Sequence, residues 1–385
     1  MATTIYLIRH AEAEGNLYRR IQGHWDGRVT PRGRAQIDAL AERFRDVPLD
    51  AVYSSDLQRT MDTAGAILKY HELELITLPQ LREISMGVWE GRPWGDVEQE
   101  APEAMYCFNH DPDRWSVPGC ERFSEVQERM RSTLAQLSAK HCGQTIAVVS
   151  HGMAIRSYLA LLLGVRGADI DGLPHGDNTA VACIRIINGE PKALYYNDAS
   201  HLPEELSTFS RQSWWKSAAK DPGNLRFEPL RFPADAALYD RCYADAWATT
   251  HGSTSGYTAR YYLRSAKAHT RTEGTVMKLM SGDEVVGVID IDPNRASEEG
   301  CGWISFFYLL PACRGRGWAA QLLGHAVWFC ETHGRTALRL HVAEENAHAR
   351  RFYEHFGFRK IGETAGVRGT LLLMEKKIEG RGLLK

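Results

Sequence analysis

Ile5-Tyr6-Leu7-Ile8-Arg9-His10 is an apolar run that empties directly onto a cation and a histidine. Its β-branched and aromatic residues predict a strand, and open α/β sheets bind ligands outside the carboxyl ends of their strands. A second run, Ile146-Ala147-Val148-Val149, ends in Ser150-His151-Gly152 and leads into the helical stretch Met153-Ala154-Ile155-Arg156-Ser157-Tyr158-Leu159-Ala160. Between the two lie Tyr53-Ser54-Ser55-Asp56-Leu57-Gln58-Arg59-Thr60, a short strand opening a helix, and Leu81-Arg82-Glu83-Ile84, followed by Met86-Gly87-Val88-Trp89-Glu90-Gly91. Taken alone, Arg9-His10 is an ordinary strand end. Two histidines, two arginines and one glutamate on the strand ends and loops of a βα pattern make a phosphoryl-transfer site. Arginine suits the anion because its planar fork binds two phosphate oxygens and stays charged throughout turnover.

These residues resemble the histidine phosphatase superfamily, also called phosphoglycerate mutase-like, from Thr3 to about His201. The opening signature of that family appears as Arg9-His10-Ala11-Glu12 with Asn16, Ala11 standing where glycine is usual. Gln22-Gly23, Val29-Thr30-Pro31-Arg32-Gly33, Ser54-Ser55-Asp56-Leu57 with Arg59, Glu83, and His151-Gly152 follow in order. The resemblance implies a three-layer α/β/α phosphoglycerate mutase-like fold. His10 would attack phosphorus through one ring nitrogen while an acceptor holds the other. Arg9, Arg59, His151 and Asn16 would bind the equatorial oxygens, with Gln22, Gly23 and Gly152 in the phosphate and substrate site. Glu83 would protonate the leaving oxygen and then take a proton from the attacking water. No metal is required. Mutases of the family carry an arginine-histidine-tyrosine stretch after the acidic residue. Here Ile84-Ser85-Met86-Gly87 follows instead, which looks like the phosphatase branch.

Composition agrees with a soluble enzyme. With 46 Lys and Arg against 48 Asp and Glu, the formal charge is −2, so no basic excess suggests nucleic acid. The eight cysteines have no paired close spacing of a zinc or redox motif. No apolar run approaches a membrane span, and no charged segment precedes a long apolar one near Met1, so a cytoplasmic location is expected. The expected organisation is a histidine phosphatase domain over 1–202, a helical connector over 203–224, a second domain over 225–378 and a tail over 379–385. Leu206, Phe209, Trp214 and Trp215 make that connector too apolar for a loose linker. Trp89, Trp94 and Trp115 are read as core, with the mouth of the phosphate site as the alternative.

From Leu225 the alternation resumes with a strand near 226–232, helices near 234–249 and 258–267, and a hairpin over 276–290 turned by Ser281-Gly282-Asp283-Glu284. The strand Trp303-Ile304-Ser305-Phe306-Phe307-Tyr308-Leu309-Leu310 ends at Pro311 and opens into Arg314-Gly315-Arg316-Gly317-Trp318-Ala319. A glycine-rich turn ahead of an apolar helix presents backbone N–H groups to an anion such as a pyrophosphate. The strand near 338–342 leads to Asn346 and to Phe352-Tyr353-Glu354 ahead of Gly357-Phe358. Together these segments resemble the GCN5-related N-acetyltransferase (GNAT) family, with Arg314, Gly317 and Ala319 on its acetyl-CoA loop pattern. The implied fold is a mixed-sheet α+β acyl-CoA N-acyltransferase. By that resemblance acetyl-CoA is the co-substrate, Leu309 and Leu310 pair with its pantetheine arm, and residues 314–319 with Asn346 complete the cofactor site. Tyr353 would protonate the departing thiolate. The strand before the loop has no carboxylate for the amine proton, which leaves Asp290, Asp292, Glu298 and Glu299 as candidate bases.

The sequence therefore predicts a bifunctional α/β protein, a phosphomonoesterase joined to an acetyl-CoA-dependent N-acetyltransferase. Its expected partners are a small phosphate ester and a small-molecule or peptide amine, with no nucleic acid and no membrane; an oligomer is left open. Two alternatives stand beside it. One is a phosphatase regulated by a non-catalytic acetyl-CoA-sensing domain, and the other is a cofactor-dependent phosphoglycerate mutase.

Overall fold

The computed structural model describes residues 2–212 and 223–378, which divide into two compact units at Gly223 and Asn224. In the first unit, strands β1 (Ala2–Arg9), β2 (Ala51–Ser54), β3 (Leu75–Thr77), β4 (Thr145–Ser150), β5 (Val181–Ile187) and β6 (Glu190–Asp198) form one sheet in the order β3-β2-β4-β1-β5-β6. Its helices are α1 (Glu14–Tyr18), α2 (Pro31–Phe44), α3 (Gln58–Leu68), α4 (Trp94–Glu100), α5 (Pro102–His110), α6 (Phe123–Lys140) and α7 (Gly152–Leu163). The inner strands β2 and β4, and most of β1, are buried on both faces because they are apolar almost throughout, while the edge strands β3 and β6 are largely exposed. Ile5, Leu7, Tyr53, Ile146 and Val148 share one core with residues of α6 and α7. Ile8, Val52, Ala147 and Val149 share another with Leu40 and Phe44 of α2 and Ala64 and Ile67 of α3. Three layers result.

The central pair positions the site. β1 and β4 run parallel, with Arg9 opposite Ser150, so the next residue of each strand is a histidine leaving the sheet at the same edge. The His10 N–H donates to the Ser150 carbonyl at 3.0 Å and fastens that register. Trp115 lies 5.5 Å from Trp89 and 5.0 Å from Phe108 between ring centroids, and both tryptophans are buried. They are core, not the wall of a mouth.

Residues 204–212 differ from the helical connector expected there. Glu204–Leu206 is one turn of 3-10 helix, and the following residues lie against the first unit. Ser207 Oγ donates to Asp177 at 2.6 Å and Thr208 Oγ1 to Glu12 at 3.3 Å, while the Leu206 carbonyl accepts from Gln36 at 2.8 Å. Buried carboxylates claim these hydroxyls, which outweighs the helical preference of so short a segment. Trp214 and Trp215 fall outside the described residues.

The second unit is built on seven strands: β7 (Arg226–Pro229), β8 (Val276–Ser281), β9 (Glu284–Asp292), β10 (Cys301–Leu309), β11 (Ala337–Ala343), β12 (Arg359–Gly366) and β13 (Gly369–Lys377). Their order is β12-β13-β11-β10-β9-β8-β7. Helices α8 (Ala236–His251), α9 (Ala259–His269), α10 (Ala319–Thr332) and α11 (Ala347–His355) complete it. Only β10 and β11 are parallel neighbours, and their pairing stops at Ile304 and Leu340. A bulge between Ile304 and Phe306 turns β10, a device that bends a strand and redirects its side chains. The two strands part beyond it.

Thr30 tests the local logic of the first unit. Its Oγ1 accepts from the Gly33 N–H at 3.0 Å as the N-cap of α2, and donates to buried Glu12 at 2.6 Å. Thr30→Ala is expected to cost about 1–2 kcal/mol in urea unfolding, and Thr30→Ser to recover most of that.

Candidate functional site

His10 is 4% exposed. Its Nδ1 lies 2.7 Å from the Ala11 carbonyl; a carbonyl only accepts, so Nδ1 carries the proton and Nε2 keeps its lone pair. Burial first, then the Arg59 and Arg9 charges, pushes the ring well below its ordinary value of 6.5, against the smaller opposing effect of the Ala11 bond. His151 caps the start of α7, and its ring centroid is 5.2 Å from that of His10. Its Nε2 is 2.7 Å from Ser55 Oγ, which also bonds Thr60 Oγ1 at 2.7 Å and accepts from the Leu57 N–H at 3.3 Å. Burial, Arg59 and His10 keep His151 neutral as well.

Arg59 is fully buried and donates Nη1 to the Trp25 carbonyl and Nη2 to the Gly23 carbonyl, both at 2.8 Å. Arg9 donates Nη1 to the Gly176 carbonyl at 2.6 Å. Around these bonds a set of buried side-chain atoms has no hydrogen-bond partner among the described residues: Arg9 Nε, Arg59 Nε, His151 Nδ1 and both polar atoms of the Gln22 amide. An unsatisfied buried polar group costs about 1–3 kcal/mol. Several of them, mostly donors, beside a neutral imidazole describe a cradle for an oxyanion.

Glu83 accepts from the N–H groups of Met153 at 3.0 Å and Ala154 at 2.8 Å, besides its neighbour Ile84. The first turn of α7 therefore serves this carboxylate, and His151 and Glu83 are tied to one helix end. Gly152 lies under the Arg9 guanidinium, where a Cβ would sit 3.3 Å from Nε. Asn16 accepts from the Ala13 N–H at 3.0 Å through Oδ1, so its oxygen closes the start of α1. Gly23 is demanded by packing, since a Cβ there would run into the Glu90 carboxylate and the Ile84 carbonyl.

Three groups around the site escaped the sequence reading. Glu90 accepts from the backbone N–H groups of Gly23, His24, Trp25 and Met86, shaping the loop whose carbonyls hold Arg59. Arg129 on α6 donates to the carbonyls of Gln80, Arg82 and Glu83 at 2.8–3.0 Å. It also pairs with Glu121 through Nε at 2.6 Å and Nη2 at 2.9 Å. Glu90 lay in the stretch Met86-Gly87-Val88-Trp89-Glu90-Gly91 and Glu121 in the phosphatase-like stretch Pro118-Gly119-Cys120-Glu121, but neither had a role assigned, and Arg129 showed only a long charged residue close to an apolar run, as a solvated helix face does.

In the second unit, Gly315 and Gly317 take φ of +79° and +78°, and nothing lies within 4 Å of where a Cβ would be. Trp318 starts α10 without a side-chain cap, leaving the helix dipole unanswered there. Those features and the parting of β10 from β11 fit an extended ligand with a pyrophosphate. Arg314 donates Nε to the Leu309 carbonyl at 3.1 Å and approaches Asp245 at 3.5 Å, and the Leu310 N–H is engaged by the Val286 carbonyl. Tyr353 is buried, 6.0 Å from Phe307 between centroids, and burial raises its hydroxyl pKa. Asn346 is used as the cap of α11, accepting from Ala349 and donating to Thr250 Oγ1. Of the candidate bases, Asp290 is buried between Tyr239 at 2.7 Å and His269 at 2.6 Å, and Glu299 pairs with Arg339. Asp292 lies 3.3 Å from His269 Nε2.

Comparison with known proteins matches residues 5–199 to the histidine phosphatase superfamily (branch 1). The chain belongs to the histidine phosphatase superfamily. Residues 238–358 match the acetyltransferase (GNAT) family, so this histidine phosphatase also carries a GNAT domain. Phosphoserine phosphatase 1 of Hydrogenobacter thermophilus is 35% identical over 161 residues, 42% of this chain and 76% of that protein. Phosphoglycerate mutase-like protein 4 of Arabidopsis thaliana is 33% identical over 204 residues, 52% of this chain and 87% of that protein. Among solved structures, YhfR of Bacillus stearothermophilus superposes with a TM-score of 0.50 at 30% identity, over 52% of this chain and 98% of its own.

The histidine phosphatase site generates two expectations. Arg129→Met should free the segment carrying Glu83 and lower kcat by about tenfold with little change in KM, as steady-state kinetics would read. Because His10, His151 and His175 are held well below 6.5 and His201 at about 4, the unfolded chain takes up protons below pH 6.5 that the folded state refuses. The sign follows: stability falls on acidification. The first unit should melt at lower temperature at about pH 5.5 than at about pH 7.5, and nitrogen NMR at pH 6.5 should show these rings neutral.

Proposed function

We propose that the protein is a bifunctional enzyme, a phosphomonoesterase working through a phosphohistidine and an acetyl-CoA-dependent N-acetyltransferase. The observation that carries the first activity is the His10–Ala11 contact at 2.7 Å, which leaves Nε2 unprotonated beside the buried Arg59 and the part-buried Arg9. Nε2 attacks phosphorus and the P–O ester bond breaks as the N–P bond forms. Arg9, Arg59 and His151 meet the charge on the equatorial oxygens, and Glu83 gives its proton to the leaving oxygen. Water then attacks the phosphohistidine, Glu83 takes back a proton, and phosphate leaves with His10 restored. The names of the relatives, a phosphoserine phosphatase and a phosphoglycerate mutase-like protein, favour a small phosphorylated metabolite as substrate.

For the second activity the loop over 314–319 would hold the pyrophosphate of acetyl-CoA, which supplies the thioester. Tyr353, kept protonated by burial, would protonate the departing thiolate. The acceptor is a small-molecule or peptide amine.

His10→Ala should abolish both phosphate release and acid-labile phosphate labelling of the full chain; retention of either removes His10 as nucleophile. Free CoA should be released from acetyl-CoA in the presence of an amine, and Tyr353→Phe should lower that rate by about ten- to a hundredfold. No CoA release across a broad amine panel would leave the domain a binding module.

A further inference from the structure

β10 and β11 lie side by side only as far as Ile304 and Leu340. The next residue of β11 is His341, whose backbone still pairs with Leu373 of β13 on its other side. His341 is therefore the first residue of β11 to stand at the opening between the two strands. A ligand anchored by its pyrophosphate at 314–319, just past the end of β10, runs back along that strand toward the point where the opening closes. Its reactive end then lies near His341.

The pleat decides which way the ring points. Asp290 and Asp292 of β9 both face His269 of α9, at 2.6 and 3.3 Å. Trp303 is paired with Asp292 and Arg339 with Trp303, so Arg339 and, two residues on, His341 share that face. The rings agree: His341 meets Trp303 edge-on, with 89° between planes and 4.9 Å between centroids. Tyr353 comes from the other face. It packs on Phe307, whose neighbours Phe306 and Tyr308 share a core with residues of α8 and α9. The two groups flank the opening from opposite sides.

His341 is part-exposed, and neither of its ring nitrogens has a hydrogen-bond partner among the described residues. Burial, then the charge of Arg295, which lies 3.5 Å over the Trp303 ring, lowers its pKa from 6.5. The ring is thus neutral at neutral pH and offers a lone pair. The carboxylates that could do the same work are occupied or misplaced. Asp290 is held by Tyr239 and His269, and Asp292 accepts from the N–H groups of Asn294 and Arg295 and faces His269. Glu298 and Glu299 precede β10, at the end where it is still paired with β11.

We propose that His341 is the general base of the acetyltransferase domain, touching the acceptor amine on the α9 face of the opening. The proposal rests on the transferase reading and supplies the base that the strand before the loop lacks. The neutral amine attacks the thioester carbonyl, and a ring nitrogen of His341 takes one N–H proton as the C–N bond forms. The C–S bond breaks, sulfur leaves with the electron pair, and the Tyr353 hydroxyl gives it a proton from the opposite face. Solvent returns the proton on His341 to the Tyr353 oxygen.

The test uses the full chain and the amine that gives the fastest release of free CoA from acetyl-CoA. His341→Phe keeps an aromatic ring against Trp303 without the nitrogens, and His341→Gln keeps a polar group that is not basic. Each should lower kcat by about a hundredfold, while titration calorimetry gives an unchanged Kd for acetyl-CoA. A kcat for His341→Phe within about threefold of the unaltered chain, or loss of acetyl-CoA binding in both variants, overturns the base and leaves the transferase reading standing. No CoA release by the unaltered chain removes both.

Discussion

The parallel pairing of β1 with β4 is the constraint on which the first unit depends. Because Arg9 faces Ser150 across the ladder, two histidines separated by more than a hundred residues leave the sheet at one edge and meet at 5.2 Å. A parallel neighbour cannot be reached by a short turn, so the intervening chain must cross over. In crossing it delivers Arg59 at the start of α3 and Glu83 on the loop ahead of α4. The reactive groups are brought together by topology, and local bonds then fix their orientation: Ala11 for His10, Ser55 for His151, and the first turn of α7 for Glu83.

The electrostatic design follows from burial. Two imidazoles kept neutral and several guanidinium groups kept from water store an unfavourable charge distribution that an anion would relieve. The carbonyls of Gly23, Trp25 and Gly176 hold the arginines in place without cancelling their charge, as carboxylates at the same positions would. Asp26 stays 3.9 Å from Arg59 and accepts from the Gln58 N–H that opens α3. Attraction for an anion is thereby preserved.

Much of this was legible in the sequence because the chemistry sits at ends of apolar runs. Ile5–Ile8 and Ile146–Val149 announced both strands and their histidines, and Gly315 and Gly317 marked a turn whose backbone needs positive φ. The roles of Glu90 and Arg129 were not legible, since each acts on backbone groups distant in sequence and local pattern carries no trace of such pairings. Asn16 and Asn346 illustrate a different limit. An asparagine that ends a loop reads alike as ligand donor and helix cap, and the bonds to Ala13 and Ala349 show the capping role that a motif match leaves unseen. The start of the connector differs for a third reason. Apolar content suggested a helix, while Glu12 and Asp177 held its first residues in turns.

Those two carboxylates carry a practical consequence for dividing the chain. Residues 207–209 complete the hydrogen bonding of Glu12, two positions from His10, and of Asp177, adjacent to the asparagine that donates to the His10 carbonyl. A fragment cut at the last strand of the sheet would expose two buried acids that have lost hydroxyl partners, on either side of His10. A first unit that keeps these bonds is thus longer than its sheet, and its end lies beyond Phe209.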